Sequence, residues 1–113
     1  MKRIIEAGLC EGRHGLPCEE YIFPQIVEDP MDFDTLERIV RNFIHMHDLQ
    51  CGNGELVVYL TGLTSCTTSL IKVCNECNVT LAVMHFDNKS REYKRQGIFE
   101  MYFNREDFGD EQQ

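Results

Sequence analysis

The sequence predicts an α/β domain with a three-stranded parallel core, two helices and an antiparallel C-terminal hairpin. Two runs, residues 56–60 and 79–86, are largely apolar on both faces, which is typical of strands inside a parallel sheet. Two longer segments, 34–49 and 65–78, carry apolar residues at helical spacing. Strands that alternate with helices in this order indicate right-handed parallel connections.

The first strand is expected over residues 2–9, before any of the helices. The segment that follows, 11–31, has no periodicity and contains three prolines and two glycines. A connection of this length is uncommon in a compact domain and is often functional. Within it the apolar residues 21–23 are expected to pack against the domain as a short extended piece.

The first helix is predicted over residues 34–49, because Asp34 and Glu37 have the spacing of a capping box. Gly52 and Gly54 follow it and end the helical pattern. Its apolar stripe consists of Leu36, Ile39, Val40, Phe43 and His47.

The second helix is predicted over residues 65–78, with Thr64 or Ser65 as its cap. The positions expected to face inward are Cys66, Leu70, Val73, Cys74 and Cys77. Cys74 and Cys77 have the spacing of a redox or metal-binding pair, but they lie near the helix end on the apolar stripe. The pattern therefore favours buried core cysteines.

The C-terminal part of the chain is expected to form a hairpin with a turn at residues 87–90. The returning arm is predicted over 91–96, Gly97 is expected to break it, and a final strand is predicted over 98–103. The domain thus comprises residues 1–103, and 104–113 form an acidic flexible tail. Two helices leave one face of the sheet thinly covered, which predicts a homodimer.

The chain has 113 residues, 11 Lys and Arg against 19 Asp and Glu, and a formal net charge of −8. Such an acidic domain is a poor partner for a nucleic-acid duplex, which needs clustered cations. The N-terminal Met1-Lys2-Arg3 is followed by only two apolar residues, so no signal peptide and no membrane span are expected. These observations predict a cytoplasmic location and reduced cysteines.

A ligand site is expected beyond the carboxyl ends of the parallel strands, where segments 11–14, 61–68 and 85–87 should meet. There Arg13 can form a bidentate pair with a phosphate, Gly62 permits close backbone approach, and the helix start offers N–H groups to an anion. The alternative is a plain strand-to-helix turn with Arg13 a solvated loop residue. The candidate ligand-binding residues are Glu11, Gly12, Arg13, His14, Thr61, Gly62, Thr64, Ser65, Thr68 and His85.

No metal site or cofactor is assigned from the sequence. Cys10, His14 and Cys18 offer three zinc ligands, but their spacing is wider than that of closed zinc knuckles, and whether they bind metal stays open. His14 and His85 each lie at a predicted strand end, but no carboxylate can be assigned to orient them. The catalytic residues of any reaction are therefore unknown.

The stretch 60–65, Leu-Thr-Gly-Leu-Thr-Ser, resembles the Thr-Gly-rich turn of CRISPR-associated Rossmann-fold (CARF) domains, which bind cyclic oligoadenylates as dimers. Leu63 stands where that family usually has a second glycine, and Ser65 where it often has lysine. The resemblance implies a small Rossmann-like domain in defence signalling. It also implies that four residues face the ligand phosphates, namely Thr61, Gly62, Thr64 and Ser65.

Three functional hypotheses follow. The first is a small cytoplasmic homodimer that binds a nucleotide or cyclic nucleotide and senses or sequesters it, as a viral counter-defence protein would. The second is an acidic protein-interaction module or inhibitor without a small ligand. The third is a nucleotide-cleaving enzyme that uses the same pocket, with Arg13, His14 or His85 involved.

Overall fold

The computed structural model describes residues 3–11, 17–61 and 63–100, which form a mixed α/β fold. This part of the chain contains one five-stranded sheet and two helices. In chain order the elements are β1 (Arg3–Cys10), β2 (Tyr21–Phe23), α1 (Phe33–Met46), β3 (Gly54–Tyr59), α2 (Thr64–Glu76), β4 (Thr80–Asp87) and β5 (Glu92–Phe99).

The strands lie in the order β2-β1-β3-β4-β5, with the first four parallel and β5 antiparallel to β4. The antiparallel C-terminal hairpin is therefore confirmed, whereas the three-stranded parallel core is wrong by one strand. The fourth parallel strand is Tyr21–Phe23, which pairs with β1 through Gly8 and Cys10. Three residues are too few to show a strand period, so only the pairing with β1 reveals this strand.

Both helices lie on the same face of the sheet. The crossovers from β2 to β3 and from β3 to β4 run in the same direction, and right-handed crossovers then place their helices on one side. The helices pack against each other, and Arg41 pairs with Glu76 at 2.6 Å across their contact. The strand residues that alternate toward them are fully or almost fully buried, namely Ala7, Leu9, Leu56, Val58, Leu81 and Val83.

Helix α1 begins at Phe33, one residue before the predicted start at Asp34. Its N-cap is Asp32, whose carboxylate accepts hydrogen bonds from the Thr35 backbone N–H at 3.3 Å and the Thr35 hydroxyl at 2.7 Å. These two bonds hold the pKa of Asp32 below its ordinary value, and the bond from the Thr35 hydroxyl has the larger effect. Asp34 lies inside the first turn, so its prediction as the cap is wrong. Both aspartates have a suitable residue three positions later, and the backbone path decides between them.

At its carboxyl end α1 is three residues shorter than the predicted 34–49. The helix ends at Met46, with His47 as its C-cap, and Asp48 adopts a left-handed φ of 57°. The predicted stripe is confirmed at Leu36, Val40 and Phe43, which are buried.

Helix α2 begins at Thr64, and its N-cap is Leu63, which makes no side-chain capping bond. The prediction that Thr64 or Ser65 caps this helix is therefore wrong. The hydroxyl of Thr68 instead donates to the Ser65 carbonyl at 3.2 Å, one turn into the helix. The predicted inward positions Cys66, Leu70, Val73 and Cys74 are confirmed as buried, and Cys77 is the C-cap.

Strand β5 is continuous through Gly97, so the predicted break there is wrong. The register moves from Ala82 opposite Gly97 to Leu81 opposite Phe99, which leaves one extra residue on β5 at a β-bulge. Glycine in a strand marks such bulges as well as strand ends. The remainder of the predicted final strand, 101–103, and the predicted tail, 104–113, lie outside the described residues.

On the face opposite the helices, hereafter the helix-free face, the described residues form no further helix. Its central side chains are nevertheless buried, including Val57 and Tyr59 of β3. Arg95 of β5 reaches across β4 on this face and pairs with Glu55 of β3 at 2.7 Å. At the outer end of β1, Ile4 is 60% exposed. The predicted homodimer stays a prediction.

Candidate functional site

The sheet contains one place where neighbouring strands connect in opposite directions. Strand β1 leads outward to β2 at the edge, whereas its neighbour β3 leads through α2 to β4 on the other side. At such a switch point in an open α/β sheet, the two connections diverge and leave a crevice beyond the carboxyl ends of the strands. Two described residues of the predicted ligand segments flank this point, namely Glu11 after β1 and Thr61 after β3.

Thr61 ties together the two strands at the switch point. Its hydroxyl oxygen accepts a hydrogen bond from the Cys10 backbone N–H at 3.3 Å, and the residue is only 6% exposed. Through this bond the Thr61 oxygen connects the end of β3 to the end of β1. The Thr61 hydroxyl proton takes no part in this bond.

The amino end of α2 opens beside the same point. Leu63, the N-cap, makes no side-chain capping hydrogen bond, and the first turn of α2 carries no acidic residue. Thr64 is exposed and Ser65 is half-buried on this turn, with Thr68 exposed one turn further along. The helix dipole adds positive potential at this end, so the turn can accommodate an anion.

His85 and Glu11 lie near the same edge of the sheet. The Leu60 backbone N–H donates to the Met84 carbonyl at 3.1 Å, which brings the residue before His85 beside the end of β3. The exposed His85 ring has its Nε2 2.8 Å from Gln96 Oε1 on β5. Glu11 is exposed directly after β1. The other predicted site residues, Gly12, Arg13, His14 and Gly62, lie outside the described part of the chain.

The structure has an aromatic cluster at this edge that the sequence analysis did not include in the candidate site. Tyr59 and Tyr93 meet edge to face with ring centroids 5.0 Å apart, and Phe86 meets Tyr93 at 5.3 Å. The Arg91 guanidinium lies over the Phe86 ring, 5.8 Å from its centroid. Burial, with smaller contributions from the Glu6 charge and other neighbours, raises the pKa of the Tyr59 hydroxyl. The turn lies at residues 88–91, one position after the predicted 87–90, and this register places Phe86 opposite Tyr93 where the predicted turn would have placed it opposite Arg91.

The hairpin that carries this cluster is locally basic. Residues 89–95 include two lysines and two arginines against one glutamate, although the whole chain has a net charge of −8. Lys89 and Arg91 are exposed at the turn, whereas Lys94 lies 3.7 Å from the Asp87 carboxylate. The carboxyl edge therefore carries cations and aromatic rings on the helix-free face and the amino end of α2 on the other face.

The cysteines contribute packing in the structure. All six lie in the described residues as thiols. Cys74 is fully buried, and burial, with a smaller effect of Cys77, raises its pKa to about 12. The prediction of buried core cysteines is confirmed for Cys74, whereas Cys77 is half-buried. No group of three or more potential metal ligands occurs among the described residues, and His14 of the possible zinc set lies outside them.

Neither helix in the described ranges has the length and apolarity that a bilayer crossing requires. Comparison with protein-family models, with curated proteins and with solved structures gives no match to this chain.

Proposed function

We propose that this protein binds a nucleotide or cyclic nucleotide at the carboxyl edge of its sheet. In this proposal it is a small cytoplasmic protein that senses or sequesters a signalling nucleotide. The observation that carries the proposal is the amino end of α2, which starts at Leu63 without a side-chain cap beside the switch point between β1 and β3. That arrangement supports phosphate binding, because the positive end of the helix dipole attracts an anion and the first turn carries no carboxylate that would repel it.

The aromatic cluster supports a nucleotide over a bare phosphate. Phe86 is 44% exposed and packs against Tyr93, so part of its ring can receive a base. Stacking of bases on aromatic rings contributes about 1–3 kcal/mol per base and tolerates any base. Arg91 beside the Phe86 ring adds a cation for a phosphate or a second stacking surface. Arg13 is proposed as a further phosphate ligand from the segment after β1.

The proposal includes a homodimer and a Rossmann-like core. The four parallel strands support a Rossmann-like core, whereas the face without helices is unlike one. Exposed Ile4 lies on that face at the outer end of β1, and a second copy would cover it. The resemblance of residues 60–65 to CARF domains is the reason for placing the ligand among cyclic oligonucleotides in defence signalling.

The test is a thermal-shift screen followed by calorimetry. The panel contains cyclic di-, tri- and tetra-adenylates, linear di-adenylate, ATP and inorganic phosphate. We expect a saturable rise in Tm with at least one nucleotide and a smaller rise with phosphate, because a ligand that binds the native state stabilises it. A screen in which no nucleotide shifts Tm contradicts the proposal. Mass spectrometry of the recovered ligand then separates binding from cleavage.

A further inference from the structure

A groove lies between the first turns of α1 and the segment that leads from β2 into that helix, and its lining begins at Pro24, directly after β2. Its volume is about 300 Å³. Leu36 and Ile39 of α1 form one side, and Ile26 and Val27 of the preceding segment form the other. The nucleotide proposal does not use any of these residues.

The groove is part of an exposed apolar surface. Among the described residues, six large apolar side chains are strongly exposed, and three of them lie within residues 26–33. These three are Ile26, Met31 and Phe33, with 76%, 68% and 50% of their surface exposed. Single exposed apolar residues are ordinary, but such a concentration beside a groove is typical of an interaction site.

The rim of the groove is acidic. Glu28, Asp29 and Asp32 line it, and the lining contains no lysine or arginine among the described residues. Asp29 accepts the Met31 backbone N–H at 3.0 Å, and Asp32 caps α1. These bonds hold two of the carboxylates in fixed positions around the apolar floor, so the charge pattern is present before any partner arrives.

We infer that this groove binds a short amphipathic segment of a partner protein, whose apolar side chains enter the groove and whose flanking lysines or arginines meet the acidic rim. The occupant follows from charge complementarity, which selects partners and accelerates their association. A second copy arranged about a two-fold axis would bring the same acidic rim against itself, which is unfavourable. Docking of an apolar helix face into a groove is a common mode of peptide recognition.

The test uses a defined probe in place of an unknown partner. The probe is a fluorescein-labelled amphipathic peptide of about 14 residues, made of leucine and lysine, and its control replaces every lysine with glutamate. Fluorescence anisotropy with the full chain should show saturable binding of the lysine peptide. We expect binding of the glutamate peptide to be about tenfold weaker or absent, because its charges oppose the rim.

Two matched pairs of variants locate the binding. Ile26→Ser removes an apolar side chain of the groove, and Met46→Ser removes one of similar exposure, 72%, at the other end of α1. Glu28→Lys reverses a rim charge, and Glu19→Lys makes the same change of net charge at an exposed position outside the groove lining. Ile26→Ser and Glu28→Lys should each lower the affinity for the lysine peptide by about fivefold or more. The two control variants should lower it by less than about twofold. Circular dichroism confirms that all four variants are folded.

Three results would overturn the inference. One is the absence of saturable binding of the lysine peptide. Another is an equal loss of affinity for the lysine peptide in Glu28→Lys and Glu19→Lys, which would show that the peptide is attracted by the net charge alone. The third is self-association of the wild-type chain that Ile26→Ser abolishes, since the groove would then hold a second copy.

Discussion

The hydroxyl of Thr61 accepts a hydrogen bond from the backbone N–H of Cys10 at 3.3 Å and thereby joins the carboxyl ends of β3 and β1. Cys10 is fully buried, so its N–H depends on partners within the protein. The two strands meet at the switch point of the sheet. The same threonine that the sequence assigns to ligand binding therefore also fixes the width of the proposed crevice.

The first prediction concerns this bond. Thr61→Val keeps the shape of the side chain but removes the acceptor, which leaves a buried N–H without it and costs about 1–3 kcal/mol of unfolding free energy. Thr61→Ser retains the oxygen and should lose less. Urea denaturation of both variants measures the difference. Equal stability of Thr61→Val and the wild type would show that the bond contributes nothing.

The second prediction separates anion binding at α2 from helix stability. Thr64→Glu places a carboxylate in the first turn, where it interacts favourably with the helix dipole by about 0.3–1 kcal/mol. The same charge occupies the proposed phosphate position, so nucleotide binding should fall while Tm without ligand rises. Calorimetry and thermal unfolding check the two effects separately.

Asn75→Glu is the matched control for that variant, because it adds the same charge at an exposed position near the other end of α2. It should lower Tm slightly through the opposite interaction with the dipole and leave nucleotide affinity unchanged. If both variants weaken the nucleotide equally, the amino end of α2 is not the phosphate site.

A third prediction tests the aromatic surface at the hairpin. Phe86→Ala removes the ring that is 44% exposed. It should weaken binding of the nucleotide found in the screen by about 1–3 kcal/mol. Phe86→Tyr keeps a ring and should bind within about threefold of the wild type. Inorganic phosphate, which does not stack, should bind both variants alike. Loss of phosphate binding in Phe86→Ala would indicate a structural defect instead of lost stacking.

The fourth prediction follows from the raised pKa of Cys74. Its ordinary value is 9.0 and burial raises it to about 12, so between these values the unfolded chain loses this proton while the native chain retains it. The contribution of Cys74 to stability is thus fully present below pH 9 and is lost progressively as the pH rises toward 12. Urea denaturation at pH 8 and at pH 10 measures the fall.

Cys74→Ala should remove this part of the alkaline loss, at the cost of a lower stability at pH 8 from lost packing. Cys51→Ala, at an exposed cysteine, should leave the alkaline loss unchanged. Iodoacetamide at pH 8 should correspondingly modify Cys51 in the native protein before Cys74. Rapid native-state labelling of Cys74 would contradict its burial.

The sequence predicted those elements whose residues show a local hydrophobic pattern. The apolar runs of β3 and β4 and the stripes of α1 and α2 lie where their periods indicate, because burial on both faces or on one stripe requires those residue types. The carboxyl edge as a candidate site followed from the order of these elements alone. The C-terminal hairpin followed from the residue types of its turn, and it is present with the turn at residues 88–91, one position after the predicted 87–90.

The tertiary structure decided the features for which local sequence offered equal alternatives. Asp32 and Asp34 are both suitable caps, and only the path of the chain from β2 selects Asp32. Tyr21–Phe23 is a strand because β1 offers it an edge, and Gly97 is a bulge because β4 continues opposite it. Phe86, Tyr93 and Tyr59 come together through the pairing of strands distant in sequence. The local pattern shows which residues of each segment must be buried. The pairing of strands across the sheet is determined only when the whole core forms.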